Sequence, residues 1–301
     1  MHSALITLRS FYRKIKPDQV ALAFEGGQNW RKAYTKSDAC VSKRIYKANR
    51  VTDDSKVAFY DLIRSFEELA RLHTSLVCLS APSLEGDDVI AGYAQHFSAL
   101  GDEVVILSGD KDFIQLLKLP GVSLMNPDDG KLRGWDKETG EKIDPDYFMF
   151  EKAIRGDAGD NVMSAYPRVF ATKIKKAYEN EYDRTNLMNH TWEFSDPSTG
   201  EKRTYRVGDL FEENMKLMNL FQQPPEIRQL LEETIKHEVV HHGQFSLFHF
   251  QKFCGKYKLK KIGEDVTSFV ELFSSTGLNS PHREETKAIH AEKKRQSTLK
   301  F

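Results

Sequence analysis

The sequence predicts an α/β protein, with helices flanking a mostly parallel central sheet and a helical region following it. Two observations predict this. Short apolar runs at 20–24, 75–79 and 103–107 have the length and near-continuous hydrophobicity of strands buried on both faces. Between them lie stretches whose apolar residues recur every three or four positions, and strands alternating with helices signal a parallel sheet. At 301 residues the chain buries a substantial core, as one large domain or as a main domain with a smaller one appended.

In chain order, Leu5, Leu8, Phe11, Tyr12 and Ile15 are spaced as one helical face, with Arg9, Arg13, Lys14 and Lys16 between them. Pro17 and Asp18 stop that helix and lead into the first strand. Residues 26–54 are polar and basic with interleaved aromatics, and read as a loop or mobile arch. A helix over 56–73 precedes the second strand, and a helix over 86–100 precedes the third. Beyond Asp112 come a short helix, a hairpin around 126–135 that turns at Pro127 to Gly130, and helical sequence from about Tyr147. Residues 189–208 read as an irregular excursion between helices, Val207 onward as helical, and 280–301 as a charged tail. The expected domains are 1–150 for the α/β core and 151–279 for the helical region.

Lys and Arg together number 44, as do Asp and Glu, so no overall positive field announces a polyanionic partner, and any such partner must meet local patches. Cys40, Cys78 and Cys254 are odd in number and far apart, which excludes a disulfide framework and a CxxC site and fits a reducing cytoplasm. No stretch approaches the ~18–20 apolar residues of a membrane span, and no signal-peptide pattern opens the chain. The expectation is a soluble cytoplasmic protein without a membrane partner.

Acidic groups stand at the junctions between these elements, where α/β folds place ligand-binding residues. Glu85, Asp87 and Asp88 open a helix after a strand and turn, which suits either a metal site or an N-cap. Asp110 and Asp112 follow a β-branched strand one residue apart, and two carboxylates on one face favour a divalent cation between them. Asp157 and Asp160 are three apart, which suits one side of a helical turn or a capped turn. Oxygen-only ligands select a hard ion, Mg²⁺ or Mn²⁺, and a pair of such ions activates water against a phosphodiester.

In this order and at these separations, "EGDD", "SGDKDF" and "RGDAGDN" resemble the 5′-nuclease superfamily of flap endonucleases, bacterial polymerase 5′-nuclease domains and phage ribonuclease H exonucleases. "VALAFEGGQNWRKAY" followed by "YKANR" is similar to the phage branch, and the resemblance runs from about residue 3 to 275. It implies a PIN-like 5′-nuclease fold with a helical arch and a helix-three-turn-helix at about 151–180. It implies a metal-dependent 5′-3′ exonuclease or flap endonuclease acting on DNA or RNA·DNA hybrids with a 5′ end or flap. The metal ligands would be Glu25, Glu85, Asp87, Asp88, Asp110, Asp112, Asp157 and Asp160. Lys47 and Arg50 would act on the scissile phosphate beside Tyr46, while Lys173, Lys175 and Lys176 would grip duplex backbone. The basic segment carrying Trp30, Arg31 and Lys32 reads as a nucleic-acid contact or as solvated surface.

The sequence departs from the family in three places. Family members open with a strand ending in a metal-binding aspartate, upstream of the helix that starts here at about residue 3, so a late-started chain of weakened activity is expected. Glu25 stands where the family has a second aspartate, and "MSAYPRVF" replaces the glycine-rich turn of the helix-three-turn-helix. One alternative is a DNA-binding protein of this fold with catalysis lost. Another is a zinc protease, since "HEVVH" at 237–241 fits HExxH, although Lys236, Gly243 and Gln244 disfavour it. The final "QSTLKF" resembles the QxxLxF peptides that dock on sliding clamps, through Gln296, Leu299 and Phe301.

Overall fold

The computed structural model describes residues 1–50, 57–136, 138–195, 200–240 and 243–274. The first half of the chain contains α1 (His2–Ile15), β1 (Ala21–Ala23), α2 (Trp30–Lys36), α3 (Val57–His73), β2 (Val77–Leu79), α4 (Gly86–Ala99) and β3 (Val104–Leu107). A 3-10 helix (Lys111–Lys118), β4 (Val122–Met125), α5 (Pro145–Arg155), α6 (Ala171–Glu179), α7 (Glu181–Asn189), β5 (Thr191–Ser195) and β6 (Lys202–Arg206) follow. The chain continues through α8 (Val207–Met218), α9 (Pro225–Val240), α10 (Leu247–Lys256), α11 (Lys260–Glu264), a second 3-10 turn (Val266–Phe269) and α12 (Val270–Ser274).

These elements form two compact units that interleave along the sequence. The first combines Met1–Glu25, Thr52–Ser80 and Glu233–Phe301; the second combines Gly26–Val51 and Ala81–Glu232. The cause is the apolar face of the C-terminal helices. Phe250, Phe253, Phe269 and Phe273 are buried together with Leu5, Phe66, Leu69 and Leu76, so the end of the chain completes a core begun by its start. In that unit β1 and β2 pair in parallel, with Leu22 opposite Cys78, and α3 is the crossover that parallel pairing requires. Lys16 adopts a left-handed φ of 51° before Pro17, and α1 ends there as expected.

In the second unit β3 and β4 also pair in parallel, from Val104 opposite Val122 to Leu107 opposite Met125. The expected parallel pairing is therefore present as two two-stranded pairs among the described residues, one in each unit. The predicted hairpin appears as the return from β4, with the Met125–Leu132 bridge across the turn. Residues 191–195 and 202–206, within the stretch read as an excursion between helices, form the antiparallel pair β5–β6, with Trp192 opposite Tyr205. These rings join a core with Phe150, Ile154, Ile174 and Leu210, and that burial outweighs the local turn-forming composition.

The basic segment is also not a free loop. Asn29 caps α2 by accepting the N–H groups of Arg31 (2.8 Å) and Lys32 (3.2 Å). The buried carboxylate of Glu213 on α8 accepts the N–H groups of Val41 and Ser42, the latter at 3.1 Å. Gly26 is required at the entrance to the segment, because a Cβ there would lie 2.1 Å from Ala81 O. The tail with Gln296, Leu299 and Phe301 lies outside the described residues, as does His241 of the HExxH string. Glu238 of that string is ion-paired with Arg71 in the first unit, so the group a protease would use as its base is a structural partner.

Candidate active site

The acidic residues of the second unit come from three segments. The first turn of α4 supplies Glu85 at its N-cap, then Asp87 and Asp88, where the helix dipole favours negative charge. Asp110 caps the 3-10 helix after β3 by accepting the N–H of Asp112 at 2.8 Å, so Asp110 still has extended backbone while Asp112 stands in the first turn of the helix. Asp157 and Asp160 sit in a capped turn, the second of the two arrangements their spacing allowed, closed by reciprocal backbone bonds between Asp157 and Val162 with Asp157 Oδ1 accepting the Gly159 N–H at 2.8 Å. Gly156, at φ 69°, ends α5 just before it, where a Cβ would meet Met163 and Val162 backbone at 2.6 Å.

Two lysines tie these segments into a circuit. Lys47 Nζ contacts Glu85 Oε1 and lies 3.9 Å from Asp160 Oδ2. Lys152 Nζ on α5 contacts Asp112 Oδ1 and lies 3.2 Å from Asp157 Oδ2. Asp157 Oδ1 in turn accepts the Asp160 N–H at 3.3 Å. Asp87 lies within electrostatic reach of Asp110, Glu85, Asp112 and Lys47. Burial, then the charges of Asp110 and Glu85, push the Asp87 carboxyl up to about 7 against the pull of Lys47. Burial raises Asp112 as well, in spite of Lys152. Asp157 goes the other way: burial would raise it, but the charge and hydrogen bond of Lys152 hold it below the usual carboxylate range.

Several expected ligands and contacts turn out to be interior. Asp88 is 0% exposed, and its two oxygens receive the Arg31 fork at 2.8 Å each, Trp30 Nε1 at 3.2 Å, Gln223 Nε2 at 3.3 Å and the Glu85 N–H at 3.1 Å. With five donors on it, Asp88 is a structural counter-ion and not a metal ligand. Its carboxyl is lowered, because the charge and fork of Arg31 overcome the rise that burial alone would cause. Arg31 (3% exposed) and Trp30 (7%) are correspondingly not surface contacts for nucleic acid; a guanidinium beside a buried carboxylate stays with it. Tyr46 is buried too, its hydroxyl donating to Asp160 Oδ2 at 2.7 Å, while the exposed Arg50 donates to Oδ1 at 2.5 Å. Lys32, Lys173, Lys175 and Lys176 are exposed, with Lys173 on Tyr166 and Lys175 on Glu179. Arg168 takes a left-handed φ of 59°, standing in for the missing glycine of the turn before α6. Glu25 follows β1 and belongs to the first unit.

Sequence reasoning missed Lys152, Glu213 and Gln223. Lys152 lies five residues before Asp157 on an amphipathic helix, where it reads as ordinary surface; only its 14% side-chain exposure reveals its task. Among the described residues no three His, Cys, Asp or Glu side chains already stand as a metal cage, and the two ammonium groups hold the carboxylates instead. The donor set still fits a hard divalent ion. Six carboxylates, Glu85, Asp87, Asp110, Asp112, Asp157 and Asp160, stand with the cations Lys47, Arg50 and Lys152 and, at Glu85, Arg31, and oxygen donors in that excess suit such an ion.

Residues 1–151 match the family model described as the N-terminal resolvase-like domain of 5′-3′ exonucleases. The chain is 30% identical over 142 residues to an exodeoxyribonuclease of Enterobacteria phage T3, covering 47% of this chain and 41% of that protein. It is 29% identical over 165 residues to a 5′-3′ exonuclease of Aquifex aeolicus, covering 54% of this chain and 53% of the other. It thus spans about half or less of the length of these relatives. Among solved structures it resembles a T5 5′-exonuclease with divalent metal ions (zinc) bound, at a TM-score of 0.54 and 18% identity, covering 79% of this chain and 90% of that one. That likeness is one of fold.

Proposed function

We infer, from the premise that this chain belongs to the 5′-3′ exonuclease family, that it hydrolyses phosphodiester bonds in DNA or RNA·DNA structures carrying a 5′ end or flap, with Mg²⁺ or Mn²⁺ as cofactor. The observation that carries this reading is the convergence of six carboxylates from separate segments with Lys47 and Lys152 in one compact unit. Glu85, Asp87, Asp110 and Asp112 would hold an ion, and Asp157 and Asp160 would hold or orient a second. When bound, such ions supply an activated water and neutralise charge on the departing oxygen.

The chain's own groups do the rest. Lys47 and Arg50 are cations paired to acids of the circuit, and both are read as neutralising a phosphate drawn towards it. Tyr46 and Glu213 hold the segment that presents them, so less ordering remains to be done when substrate arrives. Lys152 keeps Asp112 and Asp157 from repelling each other in the metal-free protein. Lys173, Lys175 and Lys176 on α6 are read as contacts to duplex phosphates, which set register without reading sequence. The terminal Gln296, Leu299 and Phe301 are read as a short anchor for a sliding clamp, of modest affinity.

The test uses 5′-labelled flap, nicked and RNA·DNA hybrid substrates with Mg²⁺, Mn²⁺ or EDTA. Cleavage confined to the metal-containing reactions is expected. Cleavage that persists in EDTA removes the metal mechanism, and tight binding without cleavage under any metal leaves a DNA-binding protein of this fold.

A further inference from the structure

The geometry points to Arg31 as the positioning residue that holds Glu85 in the acidic circuit, a role that rests on the metal-dependent reading above. Arg31 starts from α2, whose first residue Trp30 covers it, the guanidinium carbon standing 4.5 Å from the ring centroid. Its Nε donates to Leu217 O at 2.7 Å, and its Nη groups fork onto Asp88. One Nη1 proton remains, and it goes to Glu85 Oε2 at 2.8 Å. The guanidinium is therefore held by α8 through Leu217 and by the first turn of α4 through Asp88, with Trp30 of its own helix stacked on it, while it reaches Glu85.

Glu85 has two oxygens with different fates. Oε2 is fixed by Arg31, while Oε1 is left to the Lys47 ammonium. A glutamate side chain has several rotatable bonds and loses much freedom when it is held. Because one oxygen is already pinned, the other is presented to a cation in a single orientation. Asp88 meanwhile cancels the Arg31 charge, so the clamp orients Glu85 without neutralising it. Lysine cannot replace this device, since a single ammonium lacks the planar fork that serves two carboxylates and a carbonyl together.

The test is Mn²⁺ binding by titration calorimetry on the full chain, alongside cleavage of a flap substrate over a range of Mn²⁺ concentrations. The double variant Arg31→Met with Asp88→Leu removes the buried ion pair as a unit, and because Asp88 also accepts from Trp30, Gln223 and the Glu85 N–H, its folding is checked first by circular dichroism. We expect its Mn²⁺ affinity to fall by about tenfold or more, with the Mn²⁺ needed for half-maximal cleavage rising in parallel. The KM for DNA at saturating Mn²⁺ moves less than about twofold, because Arg31 does not touch substrate. Arg31→Lys, which keeps Asp88 paired, gives the same loss and serves if the double variant does not fold. Folded variants that bind Mn²⁺ as the wild-type chain does overturn the proposal. If the wild-type chain binds Mn²⁺ but cleaves nothing, the nuclease reading fails and the calorimetry alone decides on Arg31; if it binds no Mn²⁺, both fail.

Discussion

Lys152 lies 3.2 Å from Asp157 and at the same time contacts Asp112, so one ammonium group joins the turn after α5 to the start of the 3-10 helix. Its removal leaves two partly exposed carboxylates facing each other. We predict that Lys152→Met lowers the stability of the metal-free protein by about 1–2 kcal/mol, less than for a fully buried pair because solvent screens these acids. Mn²⁺ should restore more stability to the variant than to the wild-type chain. Thermal melts with and without Mn²⁺ check this; equal melting without metal would show that the bridge carries no weight.

The buried Asp88 predicts an acid limit to folding. Its value in the folded state lies below its unfolded value near 3.8, so its contribution is fully present above that pH and is lost as pH falls through the folded value. Asp88→Asn leaves Arg31 buried with an uncharged partner and is expected to cost about 3–5 kcal/mol at neutral pH. It should also flatten the loss of stability in acid. Urea unfolding across the acid range measures both effects.

Asp87 has the opposite sign. Its folded value is pushed up to about 7, so the metal-free protein should lose stability as pH rises from the usual carboxylate range towards that value, where the carboxyl must ionise beside Asp110 and Glu85. Since a cation needs the ionised form, cleavage at limiting Mn²⁺ should climb with pH up to about 7 and level above it. A pH-rate profile that is flat below neutrality would contradict the assignment of Asp87.

Asp110→Asn and Asp112→Asn should lower cleavage by orders of magnitude while nucleic-acid binding survives, because the acids serve the cation and exposed lysines serve the phosphates. Binding assays in parallel with single-turnover cleavage separate the two, and a variant with wild-type turnover drops out of the site.

Lys47→Ala and Arg50→Ala should combine slower cleavage with a salt dependence of binding shallower by roughly 0.9 in log–log slope for each phosphate that is no longer neutralised. Unchanged slopes for both would place the phosphate elsewhere.

The sequence alone determined the elements that depend on near neighbours. The apolar periodicity around Leu5 and Leu8 marked α1, the short runs at 20–24, 75–79 and 103–107 marked β1 to β3, and the acidic pairs were visible at their junctions. These are legible because residues two, three or four apart share a face of one element, and the chain writes that period directly. The tertiary structure decided the rest. Trp192, Phe194 and Tyr205 form a hairpin face only because a core receives them. Arg31 looks like a surface contact until Asp88, 57 residues away in sequence, is seen to neutralise it. Lys152 looks like solvated surface until Asp112, 40 residues away, comes to it. A charged side chain has the same local pattern whether water or a buried partner satisfies it, and its surroundings become apolar only when distant segments pack around it.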